Sequence, residues 1–491
     1  MASDGKTTAI RDQQQPHFLV LPCPVQGHIN PMLQFCKRLK QEGARVTLVA
    51  TRFCFNNTFQ NLPSSIAIDT FSDGFDKGGV EEAESFKAYF DTFEEVGSET
   101  LGELIEKLAS SGNKADGIVY DSFMPWVVGV AKRFRLSCAS FLTQSLAISS
   151  VYYHLQKKKL DIMKMEKEIQ LPGLPLLEPD KDLPSLVFAH QAHPVLFDVL
   201  LAQFSNLDEV DWILCNTFDE LEKEVADWLK TIWPKLRTVG PTVPSMFLDK
   251  RLKEDEDYGL NLCKNEDSCL KWLDDKPKGS VVYVSFGSMS NIKETQMGEL
   301  AYGLRDCDSF FLWVVRDYEE SKLPKDFEKK SEKGLVVSWC PQLKVLSNEA
   351  VGCFLTHSGW NSTLEALCMG VPMVAVPQWT DQSLNAKNVK DVWKMGMRAQ
   401  ACEDGIVKRE TLKSCIKEVM ESEIGKEMKR NAIPWKASAS KATDEGGSSQ
   451  KHIQEFVESH HHKFVGMDKT ESSSVTNCVK DLSCPKPDLL A

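Results

Sequence analysis

The sequence predicts an α/β fold made of two doubly wound, Rossmann-like domains. Three observations lead to this prediction. Short apolar runs alternate with amphipathic stretches along most of the chain, which is typical of parallel sheets with crossover helices. A length of 491 residues with 42% hydrophobic content is enough for two cores. Finally, a Pro-rich, charged stretch at 240–259 interrupts the hydrophobic periodicity and indicates an interdomain linker.

The first domain is predicted to span residues 17–241. Its first segment, HFLVLPCP, is typical of a strand, and Asn30 with Pro31 is typical of the cap and first residue of a helix. The strand ARVTLVA then completes a βαβ unit. His28 lies in the turn between the first strand and its helix, so we expect it at the carboxyl end of a parallel strand, where open α/β sheets bind ligands.

A second strand of this domain, DGIVYD, ends at Asp121, so His28 and Asp121 are expected to meet at one edge of the sheet. A carboxylate behind a histidine fixes its tautomer and stabilises the imidazolium that forms when it takes a proton. The pair therefore predicts a general base. Taken alone, either residue could equally be a structural or capping group.

The linker is predicted at 242–262 and the second domain at 263–460. Its first strand is VVYVSF, and Ser288 follows as the start of a helix, either as a phosphate contact or as a plain N-cap. A helical pattern from Lys408 to about Val457 closes the domain. Residues 1–16 and 461–491 lack periodicity and are predicted to be disordered, and the three histidines at 460–462 have no companion metal ligands.

The most informative stretch of the chain runs from Trp339 to Gln382. VGCFLTH predicts a buried strand, and the small polar residues after it open a helix. Backbone N–H groups and the dipole at a helix N-terminus favour a diphosphate there. The side chains expected to complete a nucleotide-sugar site are Trp339 for a base, His357, Asn361 and Ser362 for phosphates, Glu365 for ribose, and Asp381 and Gln382 for a sugar.

Over its whole length this stretch resembles the signature box of plant small-molecule UDP-glycosyltransferases, which are inverting family-one enzymes with the GT-B fold. The resemblance implies two Rossmann-like domains facing a cleft, with the last helix crossing back onto the first domain. It also implies that His28 and Asp121 form the catalytic dyad. Gln382, where some members have His, implies glucose as the sugar. The donor-binding residues that the resemblance implies are Thr143, Ser288, Trp339, Gln342, His357, Trp360, Asn361, Ser362, Glu365, Asp381 and Gln382.

The resemblance implies a single displacement in which His28 takes the acceptor proton and a β-glucoside forms, with no metal or cofactor. The acceptor is expected between the dyad and the apolar-rich loops at 71–93, 142–153 and 171–193. The linker FLDKRLKEDEDYG resembles a branch that glucosylates steroids, triterpenoids, phenolics and small carboxylic acids. We therefore expect an apolar hydroxyl acceptor of steroid, terpenoid or phenolic type. A glucose-ester-forming enzyme is the alternative, and a sugar-nucleotide epimerase or a non-catalytic UDP-sugar binding protein are less favoured.

Composition excludes several other classes. A net charge of −12 with only short basic clusters disfavours nucleic acid as a partner. No N-terminal apolar region and no run of eighteen apolar residues is present, which predicts a cytoplasmic protein without a membrane span. The fifteen cysteines are scattered without CxxC pairs and are expected to be reduced. The absence of GxGxxG argues against a nicotinamide enzyme, and we expect a monomer.

Overall fold

The computed structural model describes residues 15–59, 66–162, 165, 167–252, 255–259, 267–327 and 329–467. Its first domain contains a seven-stranded parallel sheet in the order β3-β2-β1-β4-β5-β6-β7. All five residues of β1 and of β4 are buried, because helices cover both faces of the sheet. The strands are β1 His17–Leu21, β2 Arg45–Thr51, β3 Ala67–Phe71, β4 Gly117–Asp121, β5 Ser137–Leu142, β6 Trp212–Cys215 and β7 Leu236–Thr238.

Nine helices of the described residues accompany this sheet. The order of the central strands changes direction at β1 and β4, so their carboxyl ends form a topological switch point at which ligands bind in such sheets. The helices are α1 Gln26–Gln41, α2 Arg52–Thr58, α3 Phe86–Ser110, α4 Val127–Phe134, α5 Leu146–Gln156, α6 Pro179–Asp182, α7 Ser185–Phe188, α8 Pro194–Ala202 and α9 Lys223–Ile232.

The second domain contains a six-stranded parallel sheet in the order β10-β9-β8-β11-β12-β13. The strands are β8 Val281–Ser285, β9 Phe310–Val314, β10 Gly334–Val337, β11 Val351–Thr356, β12 Met373–Ala375 and β13 Gly396–Arg398. The helices are α10 Asp267–Asp274, α11 Glu294–Arg305, α12 Gln342–Ser347, α13 Trp360–Met369, α14 Gln382–Lys387, α15 Arg409–Glu421, α16 Glu423–Thr443 and α17 Ser448–Met467. The predicted α/β class with two Rossmann-like domains is confirmed.

Helix α1 begins earlier than the sequence indicated. We expected Asn30 and Pro31 to start it, but the helix starts at Gln26 and Pro31 lies inside it. A proline in that place has no N–H for the carbonyl of Gly27, four residues before it. That carbonyl instead accepts a hydrogen bond from the side chain of Asn361 in the second domain, at 2.6 Å. The proline is therefore tolerated because a residue distant in sequence supplies the missing donor.

Helix α17 leaves the second domain and packs on the first. Ile453, Phe456 and Val457 are buried in the same apolar cluster as Phe18 of β1 and Phe35 of α1. The helix continues to Met467, beyond residue 460, where the ordered chain was expected to end. The rest of the predicted disordered tail, and residues 1–14, lie outside the described residues. Among the helices that the structure describes, none is long and apolar enough to cross a bilayer.

Candidate active site

A cavity of about 1380 Å³ lies between the two domains. Residues at the carboxyl ends of both sheets line it, including Cys23 after β1, Thr143 after β5, Trp339 after β10 and His357 after β11. The two sheets therefore present their ligand-binding edges to one shared cleft.

His28 and Asp121 meet in this cleft. His28 lies in the first turn of α1, and its Nδ1 is 2.7 Å from Oδ2 of Asp121, the last residue of β4. The Asp121 side chain is fully buried, and its Oδ1 accepts from the backbone N–H of Phe123 at 3.0 Å. The ring of Phe123 lies 4.8 Å from that of His28. An ionised carboxylate only accepts hydrogen bonds, so this geometry holds the proton on Nδ1 and leaves Nε2 as the proton acceptor.

Thr143 lies beside this pair. Its Oγ1 is 3.1 Å from Nδ1 of His28, and the residue is 9% exposed. The structure thus places Thr143 at the dyad as well as on the wall of the cavity. Asp121 at the end of β4 and Thr143 just after β5 therefore both contact Nδ1 of His28 in the first turn of α1, so three elements fix the imidazole.

The turn between β11 and α13 is where the diphosphate is expected to bind. His357 directly follows β11, and the backbone at two glycines approaches its ring closely. A Cβ at Gly359 would lie 2.4 Å from the His357 Nε2, and one at Gly287 would lie 2.9 Å from it. Desolvation lowers the pKa of His357 to about 4, so the ring is neutral near pH 7 and can donate one N–H. Asn361 and Ser362 lie in the first turn of α13 and also line the cavity.

Glu365, the expected ribose-binding residue, is held by a set of polar side chains. Gln342 donates its Nε2–H to Oε2 of Glu365 at 2.6 Å and also contacts Oγ of Ser362 at 2.9 Å. Tyr283 donates to Oε1 of Gln342 at 3.0 Å. The hydroxyl of Tyr258 donates to Oε1 of Glu365 at 2.8 Å. Burial raises the pKa of Glu365, and the hydrogen bonds from Gln342 and Tyr258 oppose that rise.

Asp381 and Gln382 begin helix α14 at the expected sugar end of the cavity. Oε1 of Gln382 accepts from the backbone N–H groups of Gln378 and Trp379, at 2.8 and 3.1 Å. Its amide NH₂ is therefore the end left to face a ligand. Asp381 accepts from the side chain of Asn385 at 2.7 Å, and burial raises the pKa of its carboxyl.

Two of the expected donor contacts differ in the structure. Trp360 lines the cavity, but its indole N–H donates to the carbonyl of Asn216 at 2.7 Å, so this N–H joins the two domains and a donor contact of Trp360 stays a prediction. Ser288 does not start a helix, because α11 begins at Glu294 after Lys293. It is exposed in the loop after β8, where it still lines the cavity. Trp339 is half-buried and also lines it, at the second-domain wall.

The first-domain part of the cavity is mainly apolar. The three predicted loops contribute to it, and helix α8 and Phe123 add a wall that the sequence reading missed. The nearly continuous apolar sequence of α8 was a usable signal, but it is equally typical of a core helix. The apolar and aromatic lining residues are Val80, Phe86, Tyr89, Phe90, Phe123, Tyr152, Leu186, Leu196, Val199 and Leu200.

Within the described residues, no three His, Cys, Asp or Glu side chains come together as metal ligands. The predicted independence of a metal or cofactor stays a prediction. Two facing Rossmann-like domains with a shared cleft are the architecture of GT-B glycosyltransferases, and the expected diphosphate turn and the His–Asp pair come from different domains of it.

Comparison with known proteins gives the family. A family model described as UDP-glucoronosyl and UDP-glucosyl transferase matches residues 257–434. Mogroside I-E synthase from Siraitia grosvenorii is 49% identical over 445 residues, covering 90% of this chain and 97% of that protein. Flavonol 7-O-beta-glucosyltransferase UGT74F1 from Arabidopsis thaliana is 46% identical over 453 residues, covering 91% and 98%. The crystal structure of Os79 from O. sativa in complex with UDP has a TM-score of 0.84 and 39% identity, covering 90% of this chain and all of that one. The chain belongs to the plant UDP-glycosyltransferase family, and it is a transferase.

Proposed function

We propose that this enzyme is a UDP-glucose-dependent O-glucosyltransferase that forms β-glucosides on hydroxyl groups of apolar small molecules of steroid, terpenoid or phenolic type. The observation that carries this proposal is the His28–Asp121 pair, in which Nδ1 of His28 contacts the buried carboxylate and His28 lines the cleft beside an apolar wall. A hydroxyl acceptor needs a base, and the pair provides one. An apolar wall suits a flat hydrophobic acceptor.

In this mechanism Nε2 of His28 takes the proton of the acceptor hydroxyl. The acceptor oxygen attacks the anomeric carbon from the side opposite UDP, the bond to the diphosphate breaks, and the configuration at that carbon inverts. Asp121 stabilises the imidazolium that forms. Positioned general-base catalysis of this kind is worth roughly 10²–10⁴-fold.

The departing diphosphate would be bound at the N-terminus of α13. Backbone N–H groups there lack intrahelical partners, and neutral His357 together with Asn361 and Ser362 adds donors. Such fixed donors stabilise charge as it develops on the leaving group. We infer from this donor set that no metal is required. Trp339 would stack on the uracil, and Asp381 and Gln382 would bind the glucose.

The name of the Arabidopsis relative supports transfer of glucose to oxygen with a β-linkage. An ester-forming enzyme is the second candidate, and the charges on the first-domain wall of the cavity argue against it. Within the described residues, the first-domain lining includes Lys181 and no Arg. The amine of Lys181 is already 2.5 Å from the Glu178 carboxylate. On the first-domain wall, a carboxylate acceptor would therefore meet no unpaired Lys or Arg among the described residues, whereas the second-domain wall carries Lys293, Arg316 and Arg398. A cytoplasmic location and a monomeric state are inferences from the sequence.

A mass-spectrometric transfer assay tests this function. The wild-type enzyme is incubated with UDP-glucose and a panel of steroid, triterpenoid, flavonoid and small carboxylic-acid acceptors. We expect a gain of one hexose on hydroxyl acceptors, with an anomeric proton coupling typical of a β-glucoside. Transfer to carboxylic acids alone would establish the ester-forming alternative. Isomerised sugar released without any acceptor would indicate an epimerase, and UDP binding without any turnover would indicate a binding protein.

A further inference from the structure

The segment between the domains is bound tightly to the helix that carries His28. Arg38 of α1 makes a bidentate pair with Asp249, at 2.5 and 3.0 Å, and both side chains are buried. Lys37 contacts the carboxylate of Asp255 at 2.5 Å. The carbonyl of Asp257 accepts from Lys37 at 3.0 Å. The stretch that the sequence indicated as an interdomain linker is therefore anchored immediately before Tyr258.

Tyr258 extends from this anchored segment into the second domain. Its hydroxyl donates to Oε1 of Glu365 at 2.8 Å, across 107 residues of sequence. Gln342 occupies the other oxygen, Oε2, at 2.6 Å. A carboxylate has about four lone-pair positions. Two of them are used by these side chains, and two remain for the pair of ribose hydroxyls.

We propose that Tyr258 is a positioning residue of donor recognition, which orients the Glu365 carboxylate so that it accepts hydrogen bonds from the ribose hydroxyls of the UDP-sugar. The inference rests on the proposed function, in which Glu365 binds the ribose. Tyr258 itself does not need to touch the donor. It acts through Glu365, and the ion pairs of Lys37 and Arg38 hold the segment from which it reaches.

The surroundings of Glu365 explain why an oriented donor is needed. The carboxylate is 5% exposed and faces Tyr258 and Tyr283 as well as the thiols of Cys340 and Cys368. None of these groups is cationic. Burial raises the pKa of Glu365, and the Tyr258 hydroxyl opposes this. Without that hydroxyl, the carboxylate would lose its fixed orientation. It would also lose one of the hydrogen bonds that favour its ionised form, which is the form that only accepts hydrogen bonds.

Binding of UDP and of 2′-deoxyUDP, measured by calorimetry, tests the inference. The deoxy nucleotide lacks one ribose hydroxyl, so the ratio of the two dissociation constants reports recognition of that group. Tyr258→Phe keeps the ring and removes the hydroxyl. We expect it to weaken UDP binding about ten-fold, as for a lost hydrogen bond to a charged group. It should weaken 2′-deoxyUDP binding less, so that the ratio of Kd for 2′-deoxyUDP to Kd for UDP becomes smaller. KM for UDP-glucose should rise far more than kcat falls.

Two further variants make every outcome decisive. Glu365→Gln reports whether Glu365 reads the ribose, and Tyr302→Phe removes an exposed hydroxyl that donates to Asp326 outside the cleft. A smaller ratio in both Tyr258→Phe and Glu365→Gln, with Tyr302→Phe unchanged, supports the inference. A smaller ratio in Glu365→Gln alone, or equal weakening of both nucleotides by Tyr258→Phe, overturns it and leaves the proposed function intact. An unchanged ratio in Glu365→Gln overturns the ribose role on which the inference rests.

Discussion

Replacement of Asp121 by Asn changes one atom at the dyad and has a consequence that the structure determines. The backbone N–H of Phe123 donates to Oδ1 of Asp121, and His28 Nδ1 faces Oδ2. An asparagine must keep its oxygen toward the Phe123 N–H, so its NH₂ group points at His28. That NH₂ donates to Nδ1, and the imidazole proton moves to Nε2. The nitrogen that should take the acceptor proton then already carries one.

The size of the effect follows from the charge that is lost. An imidazolium and a carboxylate about 4 Å apart attract one another by about 4 kcal/mol at the effective dielectric of 20 that suits protein sites. The imidazolium forms only in the transition state, so this attraction lowers the activation barrier. Since about 1.4 kcal/mol corresponds to a ten-fold change in rate, kcat should fall by roughly 10³-fold. Binding of UDP should be unaffected, because Asp121 is not expected to contact the donor.

The assay measures initial rates on a hydroxyl acceptor at saturating UDP-glucose, beside calorimetric binding of UDP. Asp227→Asn is a matched control, because it removes an exposed carboxylate that pairs with Lys223 on a surface helix. A kcat within three-fold of the wild type for Asp121→Asn would refute the reasoning. It would mean that Asp121 is a structural residue at the end of β4.

Three other changes test separate parts of the site. Gln382→His should erode the preference for UDP-glucose over UDP-galactose in a competition assay, because the amide donor is replaced by a ring; an unaltered donor ratio would remove Gln382 from sugar selection. Trp339→Ala should weaken UDP binding about 10- to 100-fold through lost stacking of about 1–3 kcal/mol, whereas Trp339→Phe should retain most of the affinity; equal affinities in all three proteins would exclude stacking. Desolvation lowers the native pKa of His357 from 6.5 to about 4. Between these pH values the imidazole binds a proton in the unfolded chain but not in the native protein. The free energy of unfolding should therefore decrease as the pH falls, by at most about 3 kcal/mol. The urea midpoints measured at pH 7.5 and pH 4.5 should differ less for His357→Gln than for the wild type. The same difference in both proteins would contradict the lowered pKa of His357.

Much of the site could be predicted because its parts are local in sequence. The strand, turn and helix around His357 place the expected phosphate donors at fixed offsets from one another, and Glu365 lies one helical turn beyond Asn361. His28 and Asp121 could be paired because the strands before them, β1 and β4, are neighbours in a parallel sheet. In each case secondary structure alone determines the side of the sheet on which the residue lies.

The features that were missed depend on distant contacts. Pro31 is a good first residue of a helix by local rules, and its place inside α1 requires Asn361 to satisfy the Gly27 carbonyl. Trp360 fits a sugar site by position, but its N–H bonds to Asn216 across the domain boundary. Tyr258 lies in a run of charged residues that is typical of a solvated linker. The ion pairs with α1 show that this run is anchored to the first domain.

The central claim is that His28 acts as the base for transfer of glucose to a hydroxyl. Its most direct test compares wild-type protein with His28→Ala on one hydroxyl acceptor and one carboxylic-acid acceptor, with product mass, anomeric configuration and UDP affinity measured together. We predict that His28→Ala no longer forms the β-glucoside of the hydroxyl acceptor, while its affinity for UDP stays within about two-fold of that of the wild type. Any transfer to the carboxylic acid, which is already ionised, should depend less on His28. Formation of the hydroxyl product by His28→Ala at a rate near that of the wild type would contradict the account.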